Sequence, residues 1–130
     1  MSTVLIVDDD LETRLLLRLI LETEGYAVVE ASHGEEALGF IGPNSLPDII
    51  VTDLVMPVLN GVKLIERLRS EPRTATIPIV VVSSNSDAEQ TLQTSGRVEA
   101  VVRKPFAATA FAECIRALAS PSIRSAPAAA

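Results

Sequence analysis

Cysteine is nearly absent from this chain of 130 residues: Cys114 stands alone. No disulfide can form within the chain, as expected of a protein in a reducing compartment. Basic residues are outnumbered, 11 Lys and Arg against 17 Asp and Glu, and the net charge of −6 has the wrong sign for a general binder of nucleic-acid backbones. Long apolar runs are missing as well; the uninterrupted ones fall far short of the ~18 residues that cross a bilayer. No basic residue precedes Arg14, so the first residues do not read as a secretory signal. The only histidine, His33, has no Cys or His near it in sequence and reads as a loop residue rather than a metal ligand or phosphodonor. The expectation is an acidic cytoplasmic protein with no membrane contact and no direct nucleic-acid partner.

Apolar types are plentiful, at 48%, and charged types make up 22%, so a core can form and wholesale disorder is excluded. The length suits one domain. Short runs rich in β-branched residues recur: Val4–Val7, Tyr26–Glu30, Ile49–Thr52, Ile79–Val82 and Ala100–Val102. Between them lie segments of helical character. Leu11–Glu24 carries Leu15, Leu16, Leu19 and Ile20 at helical spacing and is closed by Gly25; these leucines are expected in the core. Glu35–Ile41 is a short helix, and Val62–Leu68 places Leu64, Ile65 and Leu68 on one face. Ser86 and Glu89 form a capping-box signature for a polar fourth helix ending near Gly96, and Ala107–Ala119 is the fifth. From Ser120 onward the chain has no periodicity and two prolines, and reads as a flexible tail of residues 120–130 after a domain of residues 1–119.

Strand and helix thus alternate five times. Alternation predicts an α/β fold with a parallel sheet covered by helices on both faces, because each crossover must be long and right-handed. Continuous apolar strands fit a sheet buried on both sides. All strand ends then point to one edge, and chemically capable residues stand there: Asp8, Asp9 and Asp10 after the first strand, Asp53 after the third, Ser83 after the fourth and Lys104 after the fifth. Three carboxylates from Asp8, Asp9 and Asp53 would repel one another and raise at least one pKa unless a cation intervenes. One lysine does not balance them; Mg²⁺ would. Lys104 is one of two lysines beside nine arginines, which suggests that a compact ammonium is required there. A metal, an ammonium and a hydroxyl around a carboxylate suit phosphoryl transfer to that carboxylate. Asp53 is the better acceptor, because it stands alone before a turn ending at Gly61, whereas the adjacent Asp8 and Asp9 suit holding a cation together. Asp10 suits capping the next helix.

Asp8-Asp9-Asp10, Asp53-Leu-Val-Met-Pro with Gly61, Ser83 at the end of a β run, and Lys104-Pro105-Phe106 resemble the receiver domain of two-component response regulators over about residues 3–119. The resemblance implies a three-layer, doubly wound, five-stranded parallel sheet of flavodoxin-like order 2-1-3-4-5. It implies that Asp53 is the phosphoacceptor, that Asp8, Asp9, Asp53 and the backbone carbonyl of Val55 hold Mg²⁺, and that Ser83 and Lys104 engage the phosphoryl group. A histidine kinase or histidine phosphotransfer protein would be the donor. The chain would be a signalling phosphoacceptor that catalyses only its own phosphorylation and dephosphorylation. It would regulate a downstream protein through the surface of segment 86–96, the fifth strand and the fifth helix. With no output domain following, output is expected through protein contact. The chain departs from the family where receivers usually carry Tyr or Phe: counting back from Lys104 gives Val101, counting forward from Gly96 gives Ala100. Ser84 stands where a small Ala or Gly is usual, and Val55 and Asn85 flank the site. Two other readings compete: a haloacid-dehalogenase-type phosphatase using Asp8 and Asp10, although Glu12 stands where Thr or Val is wanted, and a pseudo-receiver that is never phosphorylated.

Overall fold

The computed structural model describes residues 2–42, 45–54, 61–83 and 98–119. Five strands, β1 (Thr3–Val7), β2 (Ala27–Ala31), β3 (Ile49–Thr52), β4 (Ile79–Ser83) and β5 (Ala100–Arg103), form one sheet of order β2-β1-β3-β4-β5. Every pairing is parallel. Four helices are described: α1 (Leu11–Thr23), α2 (Gly34–Phe40), α3 (Gly61–Ser70) and α4 (Ala108–Ala119). The doubly wound sheet expected from the alternation is therefore present. The polar helix expected over 86–96 and the tail from residue 120 lie outside the described residues.

Successive side chains of a strand point to opposite faces, and the apolar runs fill both. Leu5, Val7, Ile50, Ile79 and Val81 pack with Ala37, Leu64, Ile65 and Leu68 from α2 and α3. Val4, Ile6, Ile49, Val51, Val80 and Val82 pack with Leu17, Leu21, Phe111 and Ile115 from α1 and α4. Each such side chain contributes roughly 1.5–3 kcal/mol by leaving water. Cys114 is half-buried against the second cluster, as a packing residue should be. Among the described residues no helix is long and apolar enough to cross a membrane.

Strand ends differ from expectation by a residue or so, with β2 and α2 each displaced by one position and Ser83 lying inside β4. The expected face of α1 needs a larger correction. Leu17 and Leu21 are buried, whereas Leu15, Leu16 and Leu19 are 53%, 47% and 65% exposed. Leu11, at 56%, is exposed as well. Apolar residues occur all around this helix, so hydrophobic spacing alone fits several orientations. Polar contacts choose among them: the Asp10 carboxylate caps α1 by accepting from the Thr13 amide, and Arg14 and Arg18 reach Glu30 on β2. Turning Leu15 and Leu19 inward would carry both arginines away from the sheet. At the other end Gly25, with φ of +95°, closes α1 in the left-handed conformation that glycine adopts without penalty. His33 is more than a loop residue: it caps α2, its Nδ1 accepting from the Glu36 amide.

Candidate functional site

Sheet register builds the site. Val7 lies opposite Thr52, so the residues that follow, Asp8 and Asp53, leave the two central strands side by side. Ser83 lies opposite Arg103, and the Lys104 amide donates to the Ser83 carbonyl at 3.0 Å, which starts Lys104 from the same edge. Carboxylate oxygens of Asp8, Asp9 and Asp53 all lie within 4.8 Å of one another. The Lys104 ammonium donates to Asp8 Oδ2 at 3.3 Å and to Asp53 Oδ2 at 3.5 Å. Four side chains from three strands thus meet, as parallel topology requires.

Their surroundings differ. The Asp8 side chain is 1% exposed and the Asp53 side chain 13%; Asp9 is exposed. Asp8 Oδ1 accepts from the Asp10 amide at 2.9 Å and Oδ2 from Lys104, so both oxygens are engaged. Burial pushes the Asp8 carboxyl above its ordinary value, and the Asp53 charge adds to this; the Asp10 amide and Lys104 oppose it without cancelling it. Burial pulls the Lys104 ammonium down, but the Asp8 and Asp53 carboxylates outweigh it and leave this lysine raised. It is therefore fully charged near neutrality. Asp53 Oδ1 accepts from the Leu54 amide at 2.7 Å, which fixes the rotation of the carboxylate at the mouth of the sheet. Ser83 is 1% exposed at the end of β4, one strand from Asp53.

Gly61 completes the frame. Its amide donates to the Leu54 carbonyl at 2.9 Å, and a Cβ on it would sit 2.1 Å from the Asp53 carbonyl oxygen. Only glycine lets α3 begin this close to the strand end that carries Asp53. Val55, Met56, Pro57, Ser84 and Asn85 lie outside the described residues. Val101 lies opposite Val81 and is half-buried against the α2–α3 cluster, so an aliphatic side chain occupies that inner position.

Contacts that hold Asp8 were not legible in the sequence. Arg14 Nη1 donates to the Asp8 carbonyl at 2.7 Å while its Nε donates to Glu30 Oε1 at 3.1 Å. Glu30 comes within reach because it lies opposite Ile6 in the sheet, a register that no local spacing announces. A surface hollow of about 240 Å³ between Thr3, Val29, Phe40, Leu46 and Pro47 lies toward the opposite edge of the sheet, with no titratable side chain among its described lining residues. The carboxylates gather instead at the strand ends that carry Asp8 and Asp53. A divalent cation fits that cluster, since among the described residues three formal negative charges within 4.8 Å face the single ammonium of Lys104.

Residues 4–116 match the response regulator receiver domain family. The response regulator GtcR of Aneurinibacillus migulanus is 36% identical over 106 residues, 81% of this chain and 42% of that protein. The chain thus spans less than half the length of that relative. Chemotaxis protein CheY1 of Helicobacter pylori is 34% identical over 104 residues, 78% of this chain and 84% of that one. Among solved structures, the response regulator TrrA of Thermotoga maritima, in complex with Mg²⁺–BeF, superposes with a TM-score of 0.80. It is 28% identical and covers 91% of this chain and 99% of its own. Fold, residue pattern and relatives agree: the chain belongs to the receiver domain family of two-component response regulators.

Proposed function

We propose that this receiver takes a phosphoryl group on Asp53 from a phosphohistidine on a histidine kinase or phosphotransfer protein. The observation that carries the reading is the meeting of three carboxylates within 4.8 Å of one another with the Lys104 ammonium bridging two of them. Asp53 is the acceptor because its side chain is 13% exposed and open to a donor, while that of Asp8 is 1% exposed. The haloacid-dehalogenase-type reading, which needs Asp8 as nucleophile, is disfavoured by the same burial.

An Asp53 oxygen attacks phosphorus, forming an O–P bond as the donor's N–P bond breaks and the leaving imidazole takes up a proton. Lys104, already held at Asp53, neutralises charge that gathers on the transferring group, and the Ser83 hydroxyl donates to a second phosphoryl oxygen. Asp8, Asp9, Asp53 and the Val55 carbonyl would hold Mg²⁺, which would supply the remaining neutralisation. The relative TrrA was solved with Mg²⁺–BeF, and the acidic cluster here offers three carboxylates to such an ion. Phosphorylation of Asp53 then biases the surface of segment 86–96, β5 and α4 toward a downstream protein. The work is cytoplasmic signalling, with self-phosphorylation and self-dephosphorylation the only catalysis.

Incubation with acetyl phosphate and Mg²⁺, followed by intact-mass measurement, tests this. A gain of one phosphoryl group that vanishes in Asp53→Asn is the expected result. Modification that persists in that variant overturns the acceptor assignment, and a wild-type chain that takes up neither phosphate nor divalent cation establishes the pseudo-receiver reading instead.

A further inference from the structure

The carbonyl of Asp8 is held by a side chain that takes no part in the carboxylate cluster. Arg14 lies one turn into α1, and its side chain is 16% exposed. Its guanidinium donates from Nη1 to the Asp8 carbonyl at 2.7 Å and from Nε to Glu30 Oε1 at 3.1 Å. Glu30 is in turn paired with Arg18, and Arg18 with Glu22 at 3.1 Å. Glu30 belongs to β2, in register with Ile6 of β1, so the anchor of the guanidinium is part of the sheet itself.

That carbonyl belongs to the peptide joining Asp8 to Asp9. The Asp8 amide is already fixed, donating to the Ala31 carbonyl at 3.1 Å, and its carboxylate is fixed by the Asp10 amide and Lys104. Asp9 is different: it is exposed, and among the described residues no hydrogen bond to its side chain is seen. Where its Cα lies depends on the path the backbone takes as it leaves Asp8, and the Arg14 contact pins that path at the Asp8 carbonyl. An arginine fork suits the task, because two parallel donors on one rigid plane can bridge a carbonyl and a carboxylate in a fixed relation.

We infer that Arg14 is a positioning residue for the cation site: by tying the Asp8 carbonyl to Glu30 it fixes the backbone between Asp8 and Asp9, so that the Asp9 carboxylate stays within reach of Asp53. The inference rests on the reading that Asp8, Asp9 and Asp53 bind a divalent cation. Residues that orient metal ligands in this way commonly change metal affinity by 10- to 100-fold when removed.

Titration of the unphosphorylated chain with Mn²⁺, followed by the paramagnetic resonance of the free ion, measures the effect without relying on activity. Arg14→Ala is expected to weaken Mn²⁺ about tenfold. Arg18→Ala removes the neighbouring pairs to Glu30 and Glu22 but touches nothing at Asp8, and should leave Mn²⁺ affinity within about twofold. Arg14→Lys keeps the charge but lacks the fork, and should bind severalfold more weakly. Wild-type Mn²⁺ affinity in Arg14→Ala or Arg14→Lys overturns the inference. So does an equal loss in Arg18→Ala, which would trace the effect to Glu30 or to the helix. If the wild-type chain itself binds no Mn²⁺, the cation reading fails; if it binds Mn²⁺ and accepts phosphate while Arg14→Ala binds equally well, only the role of Arg14 fails.

Discussion

Replacing Asp8 by Asn should make the metal-free protein more stable while removing its response to Mg²⁺. Asp8 is 1% exposed, its carboxylate lies within 4.8 Å of those of Asp9 and Asp53, and the cation paired with that carboxylate is Lys104 at 3.3 Å. At an effective dielectric of about 20, a carboxylate at that range repels Asp8 by roughly 3.5 kcal/mol and the ammonium attracts it by roughly 5 kcal/mol. Two repulsions exceed one attraction by about 2 kcal/mol, and burial adds to the cost of the charge. Solvent reaches Asp9 and weakens its share, so a gain of about 1–2 kcal/mol is expected, or roughly 3–8 °C in Tm. Asn keeps an acceptor for the Asp10 amide, and Lys104 keeps Asp53, so little is lost in exchange.

The pH dependence has a definite sign. Because the folded-state value of Asp8 is raised above 3.8, the folded protein binds that proton more tightly than the unfolded chain. Stability is therefore lost as pH climbs from 3.8 through the raised value, and this component vanishes in Asp8→Asn. Thermal melts with and without Mg²⁺ check both points. Saturating Mg²⁺, at a hundred times its Kd, should stabilise wild type by about 2.7 kcal/mol and the variant far less, reversing their order. A variant that melts at or below wild type without divalent cation refutes the electrostatic account.

Other consequences are sharper about the scaffold. Gly61→Ala forces a Cβ to 2.1 Å from the Asp53 carbonyl and should cost about 1–3 kcal/mol, read as a lower urea midpoint; an unchanged midpoint refutes the close approach. Leu17→Ala should cost about 2–5 kcal/mol, and Leu19→Ala less than about 0.5 kcal/mol, because the first is 1% and the second 65% exposed; comparable losses in chemical denaturation would mean that α1 is turned the other way. Arg18 first and then Arg14 hold Glu30 below its ordinary value of 4.5, so its contribution is present above pH 4.5 and lost as pH falls through the lowered value. Glu30→Gln should flatten that part of an acid titration of stability, and an identical profile in the variant would discount the pairing.

Much of the fold was legible because it rests on short-range pattern. The runs Ile49–Thr52 and Ile79–Ser83 are buried on both faces and could be little else than central strands. Asp8, Asp53 and Lys104 were legible for a topological reason: parallel strands deliver their ends to one edge whatever the details of packing. The orientation of α1 was not legible, because leucines surround it and the choice among its faces rests on Arg14 and Arg18 reaching a strand distant in sequence. The Arg14–Asp8 contact was hidden for the same cause. It depends on the register of β1 against β2, which is a property of the assembled sheet and of no window along the chain.

The ammonium of the site arrives on an outermost strand, whereas the carboxylates arrive on the middle strand and one beside it. The aliphatic Val101 of β5 pairs with Val81 of β4 rather than with an acid-bearing strand. Under the proposed function, Lys104 links the acid-bearing strands to that outer strand, so changes elsewhere along it can alter which partner the chain contacts while the carboxylates keep their places.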